Sequence, residues 1–284
     1  MQLRQTKMYK RQITKLTLGI LLSGLASTVM ASGITRDIRE GASAEETRED
    51  GGYFEIGLGH YSINATIFKG NEDDSKYGFG ARINAGYQWK GLFVDLNDDD
   101  GFSFGYNALN TKHWSYDIVA GKMQAISDEQ SDLFVSLNKR KSASTLGLRA
   151  TGFYGKNIFQ FEVRDARNNE FNGFSASALA GTSWQIRNWN THVIAGIHYS
   201  SSAINDYYWG VTAEEISADF SEYEANASTT FSTELGVTYP ISESWVFRGK
   251  VNYVYGSKEF ANSPLRSDDT KHLIGTSASI SYVF

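Results

Sequence analysis

Beyond residue 50 the chain alternates apolar and polar positions with a period of two, segment after segment. In residues 77–89, Tyr77, Phe79, Ala81, Ile83, Ala85, Tyr87 and Trp89 interleave with Gly78, Gly80, Arg82, Asn84, Gly86 and Gln88. Successive side chains of a strand point to opposite faces, so each set occupies one face. Residues 174–186 repeat the pattern: Phe174, three alanines, Trp184 and Ile186 oppose Ser175, Ser177, Gly181, Ser183 and Gln185. So do residues 231–239 and 245–255. The last twelve residues set Ile274, Thr276, Ala278, Ile280, Tyr282 and Phe284 against Gly275, Ser277, Ser279 and Ser281. Aromatics lie at strand ends, with small or aliphatic residues between them. That is the arrangement of a lipid-facing band bounded by two aromatic girdles.

Strands are predicted at 53–61, 77–89, 92–97, 102–109, 114–123, 145–154, 158–165, 173–186, 191–200, 228–239, 245–255 and 273–284. Tight turns at 90–91, 110–113, 155–157, 187–190 and 240–244 alternate with long stretches at 62–76, 124–144, 201–227 and 256–272. Short periplasmic turns and long external loops organise outer-membrane barrels, whereas a soluble sandwich has no need of them. The expected fold is all-β: a transmembrane antiparallel up-and-down β-barrel of about twelve strands. Residues 92–109 are the ambiguous part. Read as one bulged strand they lead to the alternative count of ten; read as a hairpin around Asp98-Asp99-Asp100-Gly101 they keep twelve.

The N-terminus is of a different kind. Arg4, Lys7, Lys10, Arg11 and Lys15 precede an apolar run from Leu16 to Met30, and Val29-Met30-Ala31 suits signal peptidase. Cleavage is expected between Ala31 and Ser32. The domain expectation is therefore a signal peptide at 1–31, a flexible periplasmic leader at 32–51 and an outer-membrane barrel at 52–284. Five of the 27 basic residues and no acid lie in the signal, leaving 22 basic against 32 acidic residues. That acidity argues against nucleic-acid partners. With no cysteine in an exported chain, no disulfide framework is available. No other segment has the roughly 20 apolar residues of a membrane helix, so a membrane-spanning chain must close as a barrel.

Parity assigns Glu55, Asp95, Asp117, Glu162 and Glu234 to the lumen, together with Arg82, Arg149, Arg164, Arg248 and Lys250. The signs balance, which favours a packed or narrow interior held by ion pairs over a charged pore. His60-Tyr61-Ser62 and His198-Tyr199-Ser200 resemble the His-x-Ser arrangement of lipid A deacylases, but no acid accompanies either pair. Asp95, Asn97 and Asp99 have calcium-loop spacing, yet Gly101 comes one residue late and position twelve is Tyr106. Ser136-Leu137-Asn138-Lys139 fits Ser-x-x-Lys without the accompanying penicilloyl-transfer motifs. No catalytic residue, metal ligand or cofactor is therefore expected.

The apolar stretch of the external loop 201–227 makes Tyr207, Tyr208, Trp209 and Phe220 candidates for a lid or partner-binding loop. Thr212-Ala213-Glu214-Glu215 forms a capping box and predicts a short helix after Thr212. Tyr282 and Phe284 stand where barrels carry the signal read by the barrel assembly machinery.

Residues 206–215, Asp-Tyr-Tyr-Trp-Gly-Val-Thr-Ala-Glu-Glu, resemble the Tyr-Phe-Gly-Val-Ser-x-x-Glu stretch of the MipA/OmpV family. Leu235-Gly236-Val237-Thr238-Tyr239, Trp245, Tyr253 and Ala261-Asn262-Ser263-Pro264-Leu265 follow in the same order, and the closing Tyr282-Val283-Phe284 fits the family's Tyr-x-Phe. Trp209 for Phe and Asn262 for Asp depart from the pattern. The resemblance covers the C-terminal third, with Gly105-Tyr106-Asn107 also fitting. It implies a Gram-negative outer-membrane barrel, in contact with membrane lipid, that joins a lytic murein transglycosylase to a bifunctional penicillin-binding protein. Other relatives are porin-like or adhesins, so the alternatives are a narrow diffusion channel or an adhesin acting through loop 201–227. The family brings no catalytic residues.

Overall fold

The computed structural model describes residue 38 and residues 49–65, 68–69, 77–97, 101–123, 137–267 and 269–284. The signal segment, its cleavage pair Ala31 and Ser32, and most of the leader lie outside these residues, as do Asp99 and Ser136. Twelve strands are present: β1 (Gly51–Ile63), β2 (Tyr77–Trp89), β3 (Leu92–Asn97), β4 (Gly101–Asn110), β5 (Trp114–Met123) and β6 (Ala143–Tyr154). Then follow β7 (Asn157–Arg167), β8 (Asn172–Ile186), β9 (Trp189–Ser200), β10 (Ser228–Pro240), β11 (Trp245–Tyr255) and β12 (His272–Val283). Each pairs antiparallel with its sequence neighbours, and β12 closes on β1, from Glu55 opposite Val283 to Ile63 opposite Gly275. In hydrocarbon an unpaired strand edge is costly, and closure removes it.

Residues 92–109 form a hairpin, β3 and β4, which decides for twelve strands. β4 carries one register shift between Asn107 and Leu109, so Ala108 and Leu109 both face outward. Alternation sets the faces as expected. Leu148 is 68% exposed on the outer surface, while Glu234 on the inner one is 0% exposed. A girdle of Trp89, Trp114, Trp189 and Trp245 rings the end where β1 begins and β12 finishes. There Trp189 packs on Tyr239 at 4.7 Å, Trp245 on Tyr282 at 5.3 Å and Phe54 on Phe284 at 5.3 Å. Phe174 and Tyr199, 5.4 Å apart, mark the opposite girdle.

The turns at the terminal end are tight. Lys90 and Gly91, with φ of 49° and 83°, form the two left-handed positions of a type I′ turn. This is the periplasmic end by barrel topology.

Two external connections are shorter than the expected pattern of long loops. Residues 98–100 join β3 to β4, and residues 168–171 join β7 to β8. The second closes as a local turn: Asn168 Oδ1 accepts the N–H groups of Glu170 and Phe171 at 2.8 and 3.0 Å.

Helical structure in loop 201–227 also differs from the expectation. A helix, α1 (Ser202–Trp209), precedes the capping box, and the helix expected after Thr212 is a single 3-10 turn, Ala213–Glu215. Ile204 and Tyr208 lie four residues apart on one helical face, and both are buried. A second short helix, α2 (Lys258–Ala261), is capped by Ser257 Oγ, which accepts from Phe260 N–H at 3.1 Å.

Candidate functional site: the packed bore and its external lid

The bore charges assemble into separate clusters, each dictated by register. In the first, β9 His192 and β11 Lys250 both lie directly opposite Gly236 of β10. A Cβ at Gly236 would overlap the His192 ring. With no side chain there, both neighbours reach diagonally to Glu234, two residues along the same face. Glu234 Oε1 is 2.9 Å from His192 Nε2, and Oε2 is 3.6 Å from Lys250 Nζ. In the second cluster Arg149 and Glu162 are opposite each other on β6 and β7, with Nε to Oε2 at 2.8 Å. Arg164, on the same face as Glu162 and opposite Gly147, completes it with Nε to Oε1 at 2.5 Å.

The third cluster spans a whole strand. Glu55 on β1 and Arg248 on β11 are separated by β12, whose inner face is Ser279 and Ser281. The guanidinium crosses those small side chains and donates from Nε and Nη2 to the two carboxylate oxygens at 3.2 and 3.1 Å. The serine-rich face of the closing strand makes room for this bridge. Asp95 accepts from Tyr53 Oη at 3.3 Å, and Asp117 from Asn107 Nδ2 at 2.7 Å. The Arg82 stem lies over Gly59. Burying these charges is tolerable only because the acids and bases meet at short range.

Apolar side chains also pack within the barrel and over its external end. On the inner face, Ile38 of the leader, 1% exposed, packs against Phe153, Ile158, Leu179 and Ile194, the last directly opposite Glu234. A Cβ at Gly181 would overlap Ile38, so that glycine makes room for it. Ile38 is the one described residue of the leader before Glu49, and it is buried.

At the external end, Phe68, Ala166, Ile204, Tyr208, Val211, Phe220 and Leu265 form the lid core. Trp209 stacks on Phe68 at 5.8 Å and meets Phe260 edge-on at 4.8 Å. Ser263 Oγ donates to the Trp209 carbonyl at 2.6 Å. The two stretches that carried the family resemblance, 206–215 and 261–265, therefore meet in the lid. Of the four candidate lid aromatics, Tyr208 and Phe220 are buried. Tyr207 donates to Glu170 Oε2 at 2.6 Å, and Trp209 is half-buried. These aromatics fill the lid and present little to solvent.

One buried ion pair ties the lid to the neighbouring loop. Arg140 Nη1 donates to Glu215 Oε1 at 2.5 Å, and Nη2 to Oε2 at 3.1 Å and to the Gly210 carbonyl at 2.8 Å. Glu215 also accepts from Asn138 N–H, Thr212 N–H and Thr212 Oγ1 at 2.8, 2.9 and 3.0 Å. Burial works to raise this carboxyl, but the Arg140 and backbone hydrogen bonds outweigh it and hold it down to about 2. Nearby, burial and then the Glu259 charge push Tyr223 up to about 12. Its hydroxyl donates to the Glu259 carbonyl and Oε2 at 3.0 and 3.2 Å.

His198 Nε2 lies 3.2 Å from Ser200 Oγ inside the bore, whereas His60 is exposed on the outer face. Charge inventory and parity did not single out His192, Ile38 or the Arg140–Glu215 pair. A glycine facing a histidine was the available signal for the first; Ile38 is one of two isoleucines in a polar leader, with nothing to choose it over Ile34. The third joins two aperiodic loops and left none.

Comparison with known proteins follows the barrel. The family described as MltA-interacting protein MipA matches residues 56–284. Outer membrane protein OmpV of Vibrio cholerae is 25% identical over 211 residues, covering 74% of this chain and 80% of that protein. Outer membrane protein Omp26La of Vibrio anguillarum is 24% identical over 211 residues, with the same coverage of 74% and 80%. Among solved structures, the NanC porin aligns over 80% of this chain and 98% of its own at 5% identity and a TM-score of 0.47. The KdgM porin aligns over 81% and 99% at 8% identity and a TM-score of 0.43.

Proposed function

This chain belongs to the MltA-interacting protein (MipA/OmpV) family of outer-membrane barrels, and from that premise we propose that it is a structural scaffold of the outer membrane. In this reading the signal is removed after Ala31, and the barrel assembly machinery inserts the chain through the strand ending in Tyr282 and Phe284. The periplasmic side then holds a lytic murein transglycosylase next to a penicillin-binding protein, with no enzymatic step of the barrel's own. One observation carries the reading. The inner-face charges are buried in ion pairs and the external loops pack into an apolar lid, an arrangement that supports a stabilising role for the interior over passage. The family's own description as an interactor of a transglycosylase supports the partner class.

The test has two arms. Full-length processed protein should retain both murein enzymes in a pull-down and be silent in planar bilayers. Loss of both enzymes when the leader 32–50 is replaced assigns the docking to that segment, and unchanged retention assigns it to the turns. Failure to hold either enzyme defeats the scaffold.

A narrow diffusion channel is the second reading. It draws on buried polar atoms in the bore, Gln160 Oε1, His192 Nδ1 and Asn252 Oδ1, that have no protein partner and suit water. It requires a conductance that shifts with Glu234→Gln or Arg248→Gln. An adhesin acting through loop 201–227 would need its aromatics presented outward, and Tyr208 and Phe220 point into the lid core.

A further inference from the structure

Charge is distributed unequally between the two ends of the barrel. The external connections (64–76, 98–100, 124–142, 168–171, 201–227 and 256–271) carry 19 acidic and 8 basic residues. The five periplasmic turns carry four basic residues, Lys90, Lys112, Lys156 and Arg187, and one acid, Glu243. The four cations occupy four consecutive turns, β2–β3, β4–β5, β6–β7 and β8–β9. Each is exposed, and none forms an ion pair with a carboxylate among the described residues. Neighbouring turns are two strands apart, so the cations recur about every 10 Å along an arc of about 30 Å. Glu243, the start of β1 and the end of β12 lie on the rest of the rim.

Folding does not require this choice of residue. Lys90 and Arg187 are the two non-glycine residues with positive φ among the described residues, 49° and 55°. Glycine or asparagine fits such positions more cheaply. Each cation also stands one or two residues beyond a girdle aromatic: Lys90 after Trp89, Lys112 before Trp114, Lys156 after Tyr154, Arg187 before Trp189. All four are exposed at this rim, and Lys90 Nζ lies 4.9 Å from the Trp89 ring.

We propose that this arc of single cations binds murein itself, through the carboxylates of its peptide stems. The ligand lies beyond the scaffold reading, whose partners are the enzymes acting on murein. The four turns of the arc, two or three residues each, are too small to anchor a folded protein by themselves, whereas the whole periplasmic rim, with exposed Ile241, is not. Regularly spaced lone charges suit a flexible polymer whose anionic groups repeat, each contact weak and the sum set by multivalency.

The test uses full-length processed protein in detergent, sedimented with purified murein sacculi. Wild type should pellet at low salt and be released at about 1 M, where the screening length is about 3 Å. Single substitutions Lys90→Glu, Lys112→Glu, Lys156→Glu and Arg187→Glu should each weaken binding up to about fivefold, and all four together by at least about a hundredfold. Amidating the sacculus carboxylates should cause the same loss with unaltered protein. External Lys258→Glu is the control, and heat-modifiable gel mobility verifies that each variant is a folded barrel.

Unchanged sedimentation of the quadruple variant, or equal binding to amidated sacculi, overturns the proposal. Two patterns reassign the arc and overturn it equally. One is lost binding to anionic phospholipid vesicles with murein binding intact, which makes it a headgroup contact. The other is faster proteolysis of residues 39–48 with murein binding intact, which makes it a seat for the acidic leader. Enzyme pull-down without murein, using the same variants, keeps the scaffold reading separately testable.

Discussion

Replacing Glu215 with glutamine removes the charge that locks the lid while preserving its shape. The side chain is 2% exposed, and Arg140 beside it is 8% exposed. Lowering the carboxyl from 4.5 to about 2 corresponds to about 3 kcal/mol of lid stability. Because the folded value is depressed, that stability is fully present above about pH 4.5 and is lost as pH falls toward 2. Glu215→Gln imposes the loss at neutral pH and leaves the Arg140 guanidinium buried without its counter-charge, a cost of about 3–5 kcal/mol. The lid should then open about a hundredfold or more often. Amide hydrogen exchange across residues 202–224, including the Val211–Tyr223 bridge, reads this opening while the strands stay protected. Wild type at pH 3 should approach the variant's exchange. The double substitution Arg140→Met with Glu215→Leu should recover most of the protection, since an apolar pair removes both buried charges. Exchange in Glu215→Gln within threefold of wild type, together with a wild-type lid indifferent to pH between 7 and 3, would falsify the lock.

Three further outcomes follow from the packing. Deleting Phe284, whose N–H donates to the Phe54 carbonyl at 3.0 Å and whose ring meets Phe54 and Tyr282, should reduce insertion more than any single bore-charge substitution, read as the heat-modifiable fraction in outer membranes. Leu148→Arg, on the lipid face, should cost about 2–4 kcal/mol in bilayer unfolding titrations; a cost near zero would mean that this face is not in hydrocarbon. The chain has no cysteine, so Leu179→Cys reports on the Ile38 cluster on the inner face without background. Adding Ile38→Asp should raise its reactivity to a water-soluble thiol reagent, and equal reactivity with Ile38 intact would show that Ile38 does not cover this position.

The barrel was legible because its signal is local. A period of two needs only neighbouring residues, so strand positions, faces and girdles could be read before any partner strand was known, while 92–109 stayed open between a hairpin and one bulged strand. Interior charges could be listed by parity but not paired. Glu55 meets Arg248 only because β12 lies between β1 and β11 and offers serines to cross. His192 and Lys250 converge on Glu234 only because Gly236 lies directly opposite both. Those meetings depend on register, which is set by closure of the whole sheet.

The loops carried still less. The capping box marked Thr212 and Glu215 correctly, yet the helix lies before it, because burying Ile204 and Tyr208 over the mouth outweighs the local signal. Arg140 and Glu215 are 75 residues apart in aperiodic segments, and Ile38 lies in a polar leader without any period. What the amino-acid order determined by itself is a membrane barrel with a polar interior and a processed N-terminus as its expectation. Only the tertiary structure decided how the inner-face charges pair and how the external loops pack into a lid, because those contacts join residues that no sequence period relates.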